Sequence, residues 1–253
     1  MIAIALQSGS SGNSIYVESC GVRLLFDAGI SGITAERRLA AHGRSIREVD
    51  AVIISHDHSD HARHAGVYQR KYGLPLYITE RTLEAAQKRC GLGRLRDVRF
   101  FVSGGELRFG PVSVLTVPTP HDGEDGSVFV VDSKQKRLGI MTDLGHVFDG
   151  LVREVPSLDA VFMESNYDAA MLSSGPYPAF LKRRIQGPGG HISNLEAAEL
   201  LRSGARLKWA CLSHLSGENN DPVLALNTHR SVLGTEITLY AASRQSSTGV
   251  LHI

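Results

Sequence analysis

Apolar positions along the chain cluster in short runs separated by polar or glycine-rich stretches. The first run, Met1 to Leu6, reads as a strand and gives way at once to QSGSSGNS. Ser14 to Ser19 and Val22 to Phe26 read as the arms of a hairpin, with Gly21 near the turn. A helix is predicted from about Ser31 to His42, with Ser31 or Thr34 available as its cap. Ala51 to Ile54 is a brief Val/Ile run bounded by polar residues and fits a buried strand. A helix to about Tyr72, a strand at Pro75 to Ile78 and a helix over Arg81 to Cys90 are expected next. Strand-like runs then follow at Arg99 to Val102, Val112 to Val117, Ser127 to Val131 and Arg137 to Met141. Asp159 to Met163 and Leu207 to Leu212 repeat the pattern of a buried strand ending in polar residues. Ser193 with Glu196 forms an S-x-x-E capping box that opens a helix to about Arg202. This alternation predicts an α/β or α+β class with extensive sheet.

Composition narrows the picture only a little. The chain has 253 residues, 42% hydrophobic and 21% charged, at a formal net charge of +1. A chain of this size buries a substantial core without disulfides. The charge balance excludes a strongly basic nucleic-acid protein, although local basic patches can still grip an anionic polymer. Cys20, Cys90 and Cys211 form no C-x-x-C pair and read as buried structural thiols. Neither a secretory apolar segment nor a membrane-spanning run is read in the sequence, which predicts a cytoplasmic location.

The strongest chemical signal is SHDHSDH, Ser55 to His61. It places His56, His58, Asp60 and His61 directly after a predicted strand, where a tight loop can turn all four side chains into one cavity. Imidazole nitrogen and carboxylate oxygen are the donors that zinc and similar divalent ions take. The alternative is a histidine-rich solvated loop.

H-x-H-x-D-H behind a strand resembles the signature of the metallo-β-lactamase superfamily, and the remaining positions follow in order. His121 stands after VSVLTVPTP, Asp143 after RLGIMT, His214 in KWACLSHLS and Asp27 in LLFDAG. The resemblance implies one divalent metal ion on His56, His58 and His121, a second on Asp60, His61 and His214, and Asp143 bridging them. Asp27 would orient a ligand by accepting its ring N–H. Paired ions would acidify a shared water, and zinc, manganese or iron suits this donor set. The implied fold is a four-layer αββα sandwich, a single domain over residues 1–253 with no inserted β-CASP cap.

Three further segments, together with SHDHSDH, TDLGHV, GPYP, LKRRI and SHLSGENN, carry the resemblance to the compact bacterial YycJ/WalJ-type members, which are associated with nuclease or phosphodiesterase activity on DNA. SGSSGNS is a candidate phosphate nest or a flexible turn. GGHISN places His191 before a capped helix, where it could donate a proton to a leaving oxygen. MESNYD places Glu164 at a strand end, where it could orient His191. The expected catalytic residues are therefore Asp60, Asp143 and His191. The expected phosphate contacts are Ser8, Ser10, Ser11, Asn13, Asn166, His191 and Ser193.

His64 and His146 read as pocket walls. Lys182, Arg183 and Arg184 read equally as phosphate grips or as a solvated helix face, and Arg94, Arg96 and Arg99 are a second such stretch. The reading is a dinuclear metal-dependent hydrolase cleaving phosphodiester bonds, a nuclease or exonuclease acting on DNA rather than RNA. The alternatives are a small-molecule phosphodiesterase, a thioester hydrolase and a non-catalytic metal-stabilised module.

Overall fold

A computed structural model describes residues 1–253. The first half of the chain builds β1 (Ile2–Gln7), β2 (Ser14–Ser19), β3 (Val22–Phe26), α1 (Gly32–Ala40), β4 (Ala51–Ile53), α2 (Ser59–Ala62), α3 (Ala65–Tyr72), β5 (Leu76–Ile78), α4 (Glu80–Cys90) and β6 (Val98–Phe100). The second half adds β7 (Glu106–Phe109), β8 (Val112–Pro118), β9 (Ser127–Ser133), β10 (Lys136–Met141), α5 (Asp149–Glu154), β11 (Ala160–Glu164), α6 (Ala169–Ser174), α7 (Ala179–Ile185), α8 (Asn194–Leu201), β12 (Trp209–Ser213), α9 (Pro222–Leu233), β13 (Thr238–Ala241) and β14 (Leu251–His252).

These strands form two seven-stranded sheets, in the orders β14-β1-β2-β3-β4-β5-β6 and β13-β12-β11-β10-β9-β8-β7. Both begin with antiparallel pairs and change to parallel ones, the first at β3–β4 and the second at β10–β11. Sequential hairpins suit the antiparallel part, whereas parallel neighbours need helical crossovers, and α1, α3 and α4 supply them in the first sheet.

Strand alternation sorts the side chains into three apolar layers. Ala3, Phe26, Ile53, Phe129, Phe162 and Trp209 meet between the sheets. Ile4, Leu25 and Val52, on the opposite face of the first sheet, pack on Leu39, Tyr68 and Ala86 of the helices. Val130, Met141 and Met163 pack on Leu151, Ala197 and Leu201. Strands covered on both faces are apolar at every position, which is why they appear as unbroken runs. The αββα expectation is met.

Most predicted elements stand within a residue or two. Ser31, not Thr34, caps α1, its side chain accepting from the Thr34 amide. The helix expected through Tyr72 is broken into α2 and α3 at Arg63 and His64. The predicted capping box at α8 is present in full. The elements β7, α5, α6, α7, α9, β13 and β14 lie outside the predicted set. Most of these are edge strands or short half-exposed pieces, whose apolar signal is weak. No helix is long and apolar enough to cross a membrane.

Candidate metal centre

The ends of several parallel strands converge where the two sheets meet. Asp27 follows β3, His56 to His61 follow β4, Asp143 follows β10, Glu164 ends β11 and His214 follows β12. Three of these residues take the left-handed backbone conformation: Asp27 (φ 65°), Asp143 (φ 61°) and His214 (φ 55°). Each such residue costs about 1 to 3 kcal/mol, a strain that persists only where surrounding structure enforces it. Here it turns the side chain off the strand and into the cleft.

The expected ligands gather into two overlapping sets. His56, His58 and His121 bring their ligand nitrogens within 4.8 Å of one another, and Asp60, His61 and His214 do the same with their nitrogen and oxygen atoms. Asp143 lies between them, its carboxylate 3.1 Å from His61 Nε2, 3.6 Å from His121 Nε2 and 3.4 Å from His214 Nδ1. Of the buried polar atoms in this cleft, His56 Nε2 has no hydrogen-bond partner, and Asp143 Oδ2 has only the His61 Nε2 contact at 3.1 Å. Buried polar atoms are rarely left unpaired, so an orphaned imidazole nitrogen facing a histidine–carboxylate cluster is what a cation-binding centre leaves. The donor set fits divalent metal ions.

Electrostatics agree. Burial would raise the Asp60 and Asp143 carboxyls, but neighbouring imidazoles hold both well below the ordinary carboxylate range. Burial opposes charge on His214, yet Asp143, Asp60 and Glu164 push its pKa up to about 10. His61 is likewise raised well above its usual value against burial, by Asp143, Asp27 and Asp60. The carboxylates favour positive charge in the cleft, which a bound cation would supply.

Supporting contacts differ around the ligands. Asp27 accepts from His61 Nδ1 at 2.7 Å and from the Ser55 amide at 2.8 Å, so His61 presents Nε2 to the cleft. His121 Nδ1 donates to the Gly190 carbonyl at 2.8 Å, again leaving Nε2 inward. Glu164 is fully buried and accepts from His191 Nδ1 at 2.8 Å and from the Leu144 amide at 3.1 Å. It also stands 3.2 Å from His214 Nδ1. Burial would raise its carboxyl, but His191 and His214 bring it down to about 2. The structure thus pairs Glu164 with His191, whose ring lies 5.0 Å from that of His121 and 5.2 Å from that of His214.

Several expected phosphate contacts are turned inward. Ser8 Oγ accepts the His214 amide at 2.8 Å and donates to Asn13 Oδ1 at 3.2 Å. Asn13 Nδ2 donates to Asp60 Oδ2 at 3.2 Å, and Asn166 Nδ2 donates to the His214 carbonyl at 2.8 Å. The Gly9 amide is spent on Asn13 Oδ1 and the Gly12 amide on the Gly9 carbonyl. Ser193 Oγ is committed to Glu196 in the cap of α8. These groups brace the ligands and the helix, and of the loop residues only Ser10 and Ser11 are exposed. His64 stands at the start of α3 outside both ligand sets, while His146 lies on the surface, its Nδ1 on the Pro188 carbonyl.

Some contributors went unread in the sequence. Ser55 Oγ donates to Asp27 and lies 2.9 Å from His56 Nδ1. Asp57 binds Arg89 and the Glu124 amide, and so ties the ligand loop to the loop after His121. Asp122 Oδ1 stands 3.4 Å from His58 Nε2, with Oδ2 held by Arg184. An acid directly beside each ligand histidine was the available signal for Asp57 and Asp122.

Known proteins show the same plan. "Exodeoxyribonuclease WalJ" of Streptococcus pneumoniae is 36% identical over 259 residues, covering 98% of this chain and 96% of its own. "Exodeoxyribonuclease YycJ" of Bacillus anthracis is 35% identical over 231 residues, covering 90% and 87%. The metallo-beta-lactamase fold protein YhfI of Bacillus subtilis superposes with a TM-score of 0.75 at 17% identity, over 98% of this chain and 99% of that one. Residues 8–191 match the profile of one family, which takes in the ligand loop, His121, Asp143 and His191. With that match and two relatives similar over nearly their whole length, the chain belongs to the metallo-beta-lactamase superfamily.

Proposed function

We propose that this chain is a metal-dependent phosphodiesterase that shortens DNA from an end, an exodeoxyribonuclease formed by one domain without an inserted cap. The observation that carries the reading is the Glu164–His191 pair set beside two ligand clusters that share Asp143. His56, His58 and His121 would hold one divalent ion and Asp60, His61 and His214 the other, with Asp143 between. Divalent ions bound there, zinc or manganese by donor type, would supply Lewis acidity to a water and to the phosphoryl oxygens.

The chain's own residues complete the chemistry. Asp143 balances positive charge at both clusters, and Asp27 fixes which nitrogen His61 presents. His191 donates Nδ1–H to Glu164, so Nε2 is left to hold a proton for the departing oxygen. A proton donor on the leaving-group side is needed when an alkoxide departs from a phosphodiester. The names of the relatives at 35–36% identity support DNA as the substrate.

The test is a time course on single- and double-stranded DNA with defined 5′ and 3′ ends, with bis(p-nitrophenyl) phosphate in parallel. Zinc or manganese is supplied, and the wild type is compared with Asp143→Asn. Stepwise shortening that disappears in Asp143→Asn is the expected result. Turnover of the small diester with DNA left intact would move the assignment to a small-molecule phosphodiesterase. Silence on both substrates with metal bound would reject phosphodiester chemistry in favour of thioesters.

A further inference from the structure

Two surface cavities border the loops that carry the metal-site residues, and they differ in charge. The one beside Asp57 is lined by Arg81, Lys88 and Arg89 together with Asp57, Glu84 and Glu124. Its charges cancel, and two of its arginines are already paired, Arg89 with Asp57 and Arg81 with Glu124. The other, of about 350 Å³, contains Leu215 and Ser216, the two residues after His214, with Asn220, Ser243, Arg244 and Gln245. No acidic side chain lines it, and Arg244 is its one charge.

Arg244 makes no ion pair, unlike Arg44, Arg81, Arg89, Arg99, Arg184 and Arg206. Its side chain lies in a cradle that only glycines leave open. A Cβ at Gly9 would come within 2.7 Å of Arg244 Cγ, and one at Gly217 within 1.7 Å of Nη1. Gly9 adjoins Ser8, which holds the His214 amide, so the cradle is continuous with the bracing of the metal site. The backbone on either side of Arg244 is pinned: Ser243 O accepts the Ser8 amide, and Gln245 O accepts from Arg38. Arg244 is exposed, and a guanidinium on a pinned backbone with its donors unspent is arranged to grip two oxygens of an oxyanion such as a phosphate through parallel N–H···O bonds.

We infer that Arg244 binds a phosphate of the polynucleotide next to the scissile one, on the His214 side of the centre, and so selects a nucleic-acid strand over an isolated diester. The inference rests on the phosphodiesterase reading but concerns binding, so the two can fail separately.

The experiment measures binding of a labelled, cleavage-resistant phosphorothioate oligonucleotide to the metal-loaded protein across a salt series, for the wild type, Arg244→Ala, Arg244→Lys and Gly217→Ala. Arg244→Ala weakens binding about tenfold and lowers the salt slope by about one. In turnover, the same change lowers the ratio of oligonucleotide to bis(p-nitrophenyl) phosphate cleavage, through KM. Gly217→Ala keeps the charge but its methyl displaces the guanidinium, so it reproduces the loss, and the double variant loses nothing further. Arg244→Lys restores the salt slope but only part of the affinity. Wild-type affinity and salt slope in both Arg244→Ala and Gly217→Ala would overturn the inference, as would failure of the wild type to bind the strand. Binding with these losses but no cleavage would uphold Arg244 and reject the phosphodiesterase reading.

Discussion

The two ligand clusters, three histidines in one and two histidines with an aspartate in the other, are held in different ways. Around Asp60, His61 and His214 the supports are buried side chains: Asp27, Ser8, Asn13, Asn166 and Glu164. Around His56, His58 and His121 they are a hydroxyl, a backbone carbonyl and the Asp122 carboxylate. Of the supporting carboxylates, Asp27 is 7% and Glu164 0% exposed, whereas Asp122 is 36% exposed. A carboxylate buried against an imidazole has no water to replace it, but one at the rim does. By its supports, not by the burial of its ligands, the Asp60–His61–His214 cluster is the inner one and is preorganised by the fold, whereas the His56–His58–His121 cluster leans on a carboxylate at the rim.

His191 sits between the clusters, and its replacement is the sharpest probe of their cooperation. His191→Ala is expected to lower kcat on DNA by about a hundredfold or more while leaving metal stoichiometry intact. A loss confined to KM would assign the ring to substrate grip instead. Next in size is Asp27→Ala, which strips the acceptor from His61 Nδ1 and Ser55. Metal affinity at the inner cluster should fall about 10- to 100-fold, read by competition with a chelator. Asp122→Ala, at the rim, should cost less than about fivefold in metal affinity by the same competition. Equal losses from Asp27→Ala and Asp122→Ala would erase the distinction between the clusters.

His229 offers a buried imidazole outside both clusters. It lies within α9, donates Nδ1–H to the Ala225 carbonyl at 2.9 Å, and is pushed down to about 4 by burial. Its folded pKa is lower than in the unfolded chain, so the unfolded state binds the extra proton between pH about 4 and about 6.5. The stability this residue contributes is present above that window and is lost as pH falls through it. His229→Leu should flatten the decline in unfolding free energy across the window, by at most about 3 kcal/mol. An unchanged profile would place the acid sensitivity elsewhere.

Much of the scaffold was legible because the signals are local. The hairpin β2–β3 appears at Ser14–Ser19 and Val22–Phe26, as its strand-like runs and Gly21 predicted. The cap of α8 follows from Ser193 and Glu196 alone. By contrast, β14 pairs its two residues with Ile2 and Ala3 across the length of the chain. Nothing local to Leu251 and His252 announces that partner. SGSSGNS shows the same limit: its composition suits a phosphate nest, but folding spends Ser8 and Asn13 on His214 and Asp60.

Residue order alone determined the alternating helices and strands and the donor-rich loop at His56 to His61, since apolar period and donor chemistry are properties of short segments; the sandwich and the remaining metal-site candidates followed from the resemblance to a known superfamily. Tertiary structure decided which atoms those donors present and what stands behind them. It set Glu164 against His191, His214 and the Leu144 amide, and it left Arg244 unpaired between two glycines. Such partners come from segments far apart in the chain, and they meet only once both sheets have closed over a common core.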